Sequence, residues 1–125
     1  EKGFRVIPLT GPSSILLALM ASGFNGQNFV FHGYVPIKKP DLAKKLKDFE
    51  KNVYSCNQTQ IFMDTPYRNQ QLFYEILNAC SPKLKLCIAA NLTLENEFIR
   101  TMPLADWKNQ VPSINKQPSI FLMGN

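Results

Sequence analysis

The chain has 125 residues, of which 45 % are hydrophobic and 18 % charged, and fourteen Lys and Arg against nine Asp and Glu give a formal net charge of +5. This composition is too apolar for a disordered polypeptide, and the length suits one domain with its own core. The longest apolar run, Ile15 to Ala21, is far shorter than the ~20 residues of a membrane span, so we expect a soluble domain without a membrane partner.

The first half of the chain is predicted to alternate between strands and helices. Its elements are a short extended segment over 5–9, a helix from Pro12 that closes at Gly23, a strand over 28–32, a helix opening at Pro40 and a strand over 59–63. Proline suits the first helical turn, and Thr10 or Gly11 can cap the first helix. That helix is apolar nearly all round, which predicts burial in a core or at a domain interface.

The second half continues the same alternation. Thr65 is predicted to cap the next helix, with Pro66 at its first position. The core stripe of that helix is Leu72, Phe73, Ile76, Leu77 and Cys80. Strands are predicted over 84–90, 97–102 and 119–123, and a short helix over 104–109. The pattern predicts an α/β fold (α+β mixed), with a mostly buried mixed β-sheet of about five strands flanked by helices.

The cysteines, histidine and glycines argue against several kinds of binding site in this chain. Cys56, Cys80 and Cys87 form no CxxC pair and His32 is the only histidine, so we expect no disulfide framework, no metal site, and a reducing, cytoplasmic compartment. The chain begins at Glu1 and has six glycines, without a glycine-rich nucleotide loop. We therefore expect it to be part of a longer protein, and if that protein binds a nucleotide-like ligand we expect its glycine-rich loop to lie elsewhere.

Lysines are concentrated between Lys38 and Lys51. This stretch is either a phosphate-attracting face or a solvated helix flank, and the second is the more common use of lysine on helices. Aromatic residues do not alternate with these lysines, so the stacking pattern of single-strand binders is missing from the sequence.

Three loops are candidate sites because ligands of α/β sheets bind where strands lead into helices. They are Gly11 to Ser14, Met63 to Arg68 and Ala90 to Thr93. Each has a structural alternative, namely a helix start, a surface pair of Asp64 with Arg68, and a turn at Asn91. Spacing alone indicates only a soluble α/β domain.

Taken together, the motifs resemble the tetrapyrrole (corrin/porphyrin) methylase superfamily. The matching segments, in the same order, are Pro8 to Ser14, Phe31 to Lys39 and Ile61 to Arg68. They are most similar to the branch that methylates a ribose 2′-OH in small-subunit ribosomal RNA, whose motifs read roughly P-G-P-S-A, F-x-G-F-x-P-x-K and Y-E-x-P-x-R. The resemblance extends over nearly the whole chain.

The resemblance implies two α/β domains with S-adenosylmethionine in the cleft between them. Residues 1–11 would be the interdomain linker and the end of a missing N-terminal domain, and 12–125 the C-terminal tetrapyrrole methylase domain. Implied cofactor contacts are Ser13, Ser14, Met63, Asp64, Asn91 and Leu92. No catalytic residue is assigned, and we expect a homodimer.

Departures from the ribosomal branch bear on the substrate. Thr10 replaces a proline, Asp64 replaces a glutamate, and Ala90 to Leu94 reads A-N-L-T-L where the branch reads R-E-L-T-K. Three charged positions are therefore neutral, which weakens the RNA assignment and leaves the cofactor assignment intact.

The resulting hypothesis is an S-adenosylmethionine-dependent methyltransferase acting on a small-molecule or RNA substrate, in which this chain is the C-terminal half of the cleft. The reaction would be an in-line displacement at the sulfonium methyl group, favoured by alignment of donor and acceptor. One alternative is a ribosomal RNA 2′-O-ribose methyltransferase with Lys38, Lys39, Lys44 and Lys45 on the substrate side. Another is a non-catalytic interaction module that retains the fold.

Overall fold

Five strands form one mixed sheet with helices on both faces in the computed structural model, which describes residues 12–125. The elements are α1 (Pro12–Ser22), β1 (Phe29–Tyr34), α2 (Lys39–Cys56), β2 (Thr59–Met63), a 3₁₀ turn (Pro66–Arg68), α3 (Asn69–Ala79), β3 (Lys85–Ala90), β4 (Phe98–Pro103), α4 (Leu104–Trp107) and β5 (Ser119–Gly124). The predicted segment over 5–9, the cap at Thr10 or Gly11 and the linker over 1–11 lie outside the described residues.

The strand order is β1-β2-β5-β3-β4. Strand β1 pairs with β2 in parallel, whereas β5 is antiparallel to both β2 and β3, and β4 is antiparallel to β3. Because β2 and β3 both oppose β5, they run parallel to each other. Strands β1, β2 and β3 therefore end at the same end of the sheet, which we call the carboxyl end.

Helices α2, α3 and α4 cover one face of the sheet over an aromatic core. The Phe62 ring of β2 packs 5.1 Å from the Phe49 ring and 5.9 Å from the Phe121 ring. Trp107 is buried beside them and its Nε1 donates to the Leu86 carbonyl at 2.9 Å. The predicted stripes pack here, with Leu42, Leu46, Leu72, Phe73, Ile76 and Cys80 buried and Leu77 partly buried.

Helix α1 packs on the opposite face and leaves one of its own sides open. Ala18 and Leu19 are buried against the sheet, whereas Leu16, Leu17 and Met20 are exposed, Met20 by 78 %. The expected burial of this helix therefore holds for one side only, and a domain interface on the other side stays a prediction. None of the helices in the described range is long and apolar enough to cross a membrane.

The start of α3 differs from the sequence expectation. The Thr65 side chain makes no capping hydrogen bond, and Pro66–Arg68 forms a 3₁₀ turn before α3 begins at Asn69. Thr65 does occupy the N-cap position, with Pro66 at the first position, but of this 3₁₀ turn. Its backbone carbonyl, and not its side chain, accepts the hydrogen bond from the Arg68 backbone N at 2.9 Å. The neighbouring Asp64 Oδ1 accepts from the Thr65 backbone N at 2.8 Å. The short helix predicted over 104–109 ends earlier, at Trp107.

The three thiols are free and occupy different environments. Cys56 is exposed, whereas Cys80 and Cys87 are buried. Burial, helped by the Glu50 carboxylate, raises the pKa of the Cys80 thiol to about 12. Burial also raises the pKa of the Cys87 thiol to about 11. Both thiols therefore pack as neutral, apolar groups.

These raised pKa values make the fold sensitive to alkaline pH. Unfolded thiols ionise near their ordinary pKa of 9.0, so their stabilising effect is complete below that pH and is lost as the pH approaches the folded pKa values. We expect urea titrations from about pH 8 to about pH 10.5 to show a falling free energy of unfolding, less steep in Cys87→Ala. Cys56→Ala is the control, and an identical slope in all three proteins would contradict the prediction.

Candidate functional site at the carboxyl end of the sheet

The loop after β2 holds a buried carboxylate. Asp64 is 5 % exposed, and its Oδ2 accepts a hydrogen bond from Arg68 Nε at 3.0 Å while Oδ1 accepts from the Thr65 backbone. Arg68 Nη2 also donates to the Ile37 carbonyl at 3.2 Å, which ties this loop to the segment after β1. The surface pair considered from sequence is therefore an enclosed pair that fixes two loops.

The loop after β3 turns through left-handed residues. Asn91 has a φ of 53° and Thr93 a φ of 66°, a region that is strained for a β-branched side chain such as threonine. Asn91 is buried, and its backbone N donates to the Pro118 carbonyl at 2.9 Å. The Leu94 backbone N donates to the Asn91 carbonyl at 3.0 Å. Asn91 therefore shapes a turn, which is the structural alternative that the sequence left open.

The loop before β5 joins the other two loops. Gln117 Oε1 accepts a hydrogen bond from Asn91 Nδ2 at 2.8 Å, and the Gln117 carbonyl accepts from Asn69 Nδ2. Its neighbour Lys116, with a φ of 66°, donates its backbone N to the Pro66 carbonyl at 2.9 Å. Sequence reasoning missed Gln117, because a glutamine in a polar loop matches no motif.

Asn69 carries an unused acceptor at the start of α3. The residue is fully buried, and its Oδ1 has no hydrogen-bond partner within the described part of the chain. A buried carbonyl without a donor costs about 1–3 kcal/mol. Such an atom marks a place where a water or a ligand donor is expected.

The six residues implied as cofactor contacts lie on three elements. Met63 and Asp64 end β2, and Asn91 and Leu92 follow β3; the structure brings these two pairs to the same end of the sheet. The Leu92 side chain is buried in the apolar cluster under α1, so only its backbone is available to a ligand. Met63 is also buried, and its carbonyl accepts from the Val35 backbone N at 3.1 Å.

Ser13 and Ser14 lie in the first turn of α1, the former exposed and the latter buried. The other end of α1 lies over β4, where the Ser22 carbonyl accepts from Thr101 Oγ1 at 2.9 Å. Phe24, just beyond the helix, packs on Gly124 at the far end of β5. The start of α1 is therefore directed toward the carboxyl end.

A cavity of about 140 Å³ lies beside Gln117, lined by Phe98, Pro112, Ser113 and Ile114. Ligand sites for drug-sized molecules are typically ~300–1,000 Å³, so this cavity alone is too small for a ligand the size of a nucleoside. This end of the sheet supplies buried polar groups and one wall of a site.

His32 is held by packing. Its Nε2 lies 2.6 Å from Gln60 Oε1, and its ring stacks on Phe49 with centroids 4.2 Å apart. Over residues 12–125, no group of three or more His, Cys, Asp and Glu side chains is placed to hold a metal ion.

Sequence relatives of the chain are ribosomal RNA methyltransferases by name. Proteins named ribosomal RNA small subunit methyltransferase I from Vibrio cholerae and Pseudomonas aeruginosa are 32 % and 27 % identical to it, over 85 % and 92 % of the chain. The chain spans 35 % and 39 % of the length of these relatives. No family model matches.

Solved structures confirm the fold. The methyltransferase CobJ has a TM-score of 0.59 at 18 % identity, over 89 % of this chain and 47 % of that one. The cobalt precorrin-4 methyltransferase CbiF has a TM-score of 0.57 at 18 % identity, over 89 % of this chain and 48 % of that one. These relatives and the shared fold together confirm the resemblance read from the motifs, which is to the tetrapyrrole methylase superfamily and its ribosomal RNA methyltransferase branch.

Gln117 gives a direct test of how the loops are held. Replacing Gln117 by Ala removes the acceptor of Asn91 Nδ2 and leaves a buried donor unpaired, so we expect the free energy of unfolding to fall by about 1–3 kcal/mol. Urea unfolding measures the change. The matched control is Gln71→Ala, at an exposed position of α3, and equal effects of the two substitutions would contradict the linking role.

Proposed function

We propose that this chain is the C-terminal half of an S-adenosylmethionine-dependent methyltransferase that works with its own N-terminal domain. In this proposal 12–125 form the C-terminal domain and 1–11 lead into it from the other domain. Support comes from the family, from the names of the relatives and from the fraction of their length that the chain spans. The homodimer and the reducing, cytoplasmic compartment stay predictions.

The observation that carries the proposal is the joining of polar loops at the carboxyl end of the sheet. The loops after β2 and β3 are bonded to one another through the loop before β5, and they bury Asp64, Asn69 and Asn91. Ligands of open α/β sheets bind outside the carboxyl ends of strands. Residues with strained backbone conformations also concentrate at functional sites.

The residues present fit a ligand that carries both donors and acceptors. Asn69 Oδ1 is a buried acceptor without a partner among the described residues, which suits a ligand amino or hydroxyl group. When bound, S-adenosylmethionine supplies an electrophilic methyl group on its sulfonium. The residues proposed to border it are Ser13, Ser14, Met63, Asp64, Asn91 and Leu92.

We assign these side chains a positioning role. Each oxygen of Asp64 accepts one hydrogen bond, from the Thr65 backbone N and from Arg68 Nε, so the carboxylate organises the loop. Catalysis by this half of the cleft would come from holding the methyl donor and the acceptor aligned, which lowers the entropic part of the barrier.

Ribosomal RNA is the acceptor that the relatives favour. Their names state that activity, whereas the similarity to the methyltransferases CobJ and CbiF is one of fold at 18 % identity. The neutral residues Ala90, Asn91 and Leu94 replace the three charged residues of the ribosomal motif. The Asn91 side-chain amide is engaged within the protein, since it donates to Gln117 Oε1.

Isothermal titration with S-adenosylmethionine tests the split cleft. The complete protein, with its N-terminal domain, is expected to bind the cofactor, and the 125-residue chain is expected to bind weakly or not at all. Tight binding by the chain alone would refute the shared cleft. Absence of binding by the complete protein would favour the non-catalytic interaction module.

Asp64 provides a variant for the same titration. Asp64→Asn keeps an acceptor for the Thr65 backbone but loses the charge that holds Arg68, so we expect cofactor affinity of the complete protein to fall by about tenfold. Asp48→Asn is the control, because Asp48 is an exposed residue on α2. Unchanged affinity in Asp64→Asn would remove this residue from the proposed cofactor contacts.

A further inference from the structure

Two exposed tyrosines lie beside the proposed cofactor contacts. Tyr34 ends β1 and is 61 % exposed, and Tyr67 lies in the turn after β2 and is 76 % exposed. Tyr34 stands opposite Met63 in the parallel pairing of β1 with β2. Both rings are thus at the carboxyl end of neighbouring strands, and neither belongs to the core.

Two hydrogen bonds join the chain segments that carry the tyrosines. The Val35 backbone N donates to the Met63 carbonyl at 3.1 Å, and Arg68 Nη2 donates to the Ile37 carbonyl at 3.2 Å. The residues that follow Tyr34 are therefore bonded to both ends of the segment that contains Tyr67. We call the exposed residues of this region the tyrosine surface, which consists of Tyr34, Ile37, Lys38, Tyr67 and Lys116.

Positive charge borders these rings. Lys38 follows Ile37, and Lys116 is held next to Tyr67 by the hydrogen bond from its backbone N to the Pro66 carbonyl. The nearby Asp64 carboxylate is buried and paired with Arg68, so it does not offset the lysines at the surface.

Two acidic residues of helices α2 and α3 lie outside the tyrosine surface. Glu75 of α3 lies 3.9 Å from Lys39 Nζ, and Asp41 lies in the first turn of α2. Within residues 12–125 neither Lys38 nor Lys116 forms an ion pair, and the tyrosine surface itself contains no carboxylate. The surface therefore combines aromatic faces with positive charge.

We propose that Tyr34 and Tyr67 stack on unpaired bases of a single-stranded RNA acceptor, while Lys38 and Lys116 contact its phosphates. This proposal rests on the methyltransferase function and describes the acceptor side of the same site. Aromatic stacking together with basic side chains is the usual way in which proteins bind single strands. Along the sequence the aromatic residues and lysines are separated, and the fold brings them together.

The geometry favours a strand over a small flat substrate. The tyrosine surface is open, and its rings lie at the last residue of β1 and in the turn after β2 instead of lining a closed pocket. A double helix hides the faces of its bases inside the stack, so tyrosines can stack only on a segment that is unpaired.

The test is fluorescence anisotropy of the complete protein with a labelled single-stranded RNA oligonucleotide. Tyr34→Ala and Tyr67→Ala are each expected to weaken binding by about tenfold, whereas Tyr34→Phe and Tyr67→Phe retain the ring and the affinity. Lys38→Ala is expected to reduce the dependence of affinity on salt. Tyr54→Ala is the matched control, since Tyr54 is an exposed tyrosine at the end of α2.

Three results would overturn the proposal. The first is wild-type RNA affinity in both alanine variants. The second is a loss of RNA affinity in the phenylalanine variants that equals the loss in the alanine variants. The third is a loss of affinity for a porphyrin, and not for RNA, in the alanine variants. Urea unfolding of each variant excludes misfolding as the cause. Titration of the same variants with S-adenosylmethionine separates the two proposals. If the alanine variants bind the cofactor normally and bind RNA with wild-type affinity, only the proposed role of the tyrosines is refuted. If the wild-type protein does not bind the cofactor, the proposed methyltransferase function is refuted.

Discussion

The reversed strand β5 determines where the site forms. It is hydrogen-bonded to β2 on one side and to β3 on the other, and all of its residues are buried. Because both neighbours oppose β5, they must run in the same direction and end together. Asp64 and Asn91, which are far apart in the sequence, therefore reach the same end of the sheet, and the loop that leads into β5 lies between them.

Local patterns were sufficient to predict most elements but not their arrangement. The strand predicted over 59–63 is present with the same bounds, because an apolar run between polar residues has few other solutions. The order of the strands depends on pairings between distant residues, and no local pattern places β5, the last strand, in the middle of the sheet. The start of α3 differs for a local reason, since Thr65 and Pro66 open a 3₁₀ turn and α3 follows it from Asn69.

The sequence was sufficient to predict which loops form the candidate site, but not which hydrogen bonds connect those loops. Strand ends identified the loops at Met63 and Ala90 because polar residues follow apolar runs there. The burial of Asp64 depends on Arg68 and on the segment after β1, and that contact cannot be read from spacing. Gln117 has no motif, and the Leu92 side chain is buried because α1 covers it. The tyrosine surface proposed above combines residues from β1, from the turn after β2 and from the loop before β5, so no single stretch of sequence indicates it.

Three of the hydrogen bonds that join the loops of the site end on residues that follow those loops in the chain. Asn69, Asn91 and Pro66 each depend on a partner at Lys116 or Gln117. During synthesis these loops emerge first, and they lack these hydrogen bonds until the segment with Lys116 and Gln117 docks. In the folded protein, local opening of this one segment would release all three together. The site therefore forms one cooperative unit, whose order is set by a short stretch outside the motifs of the family.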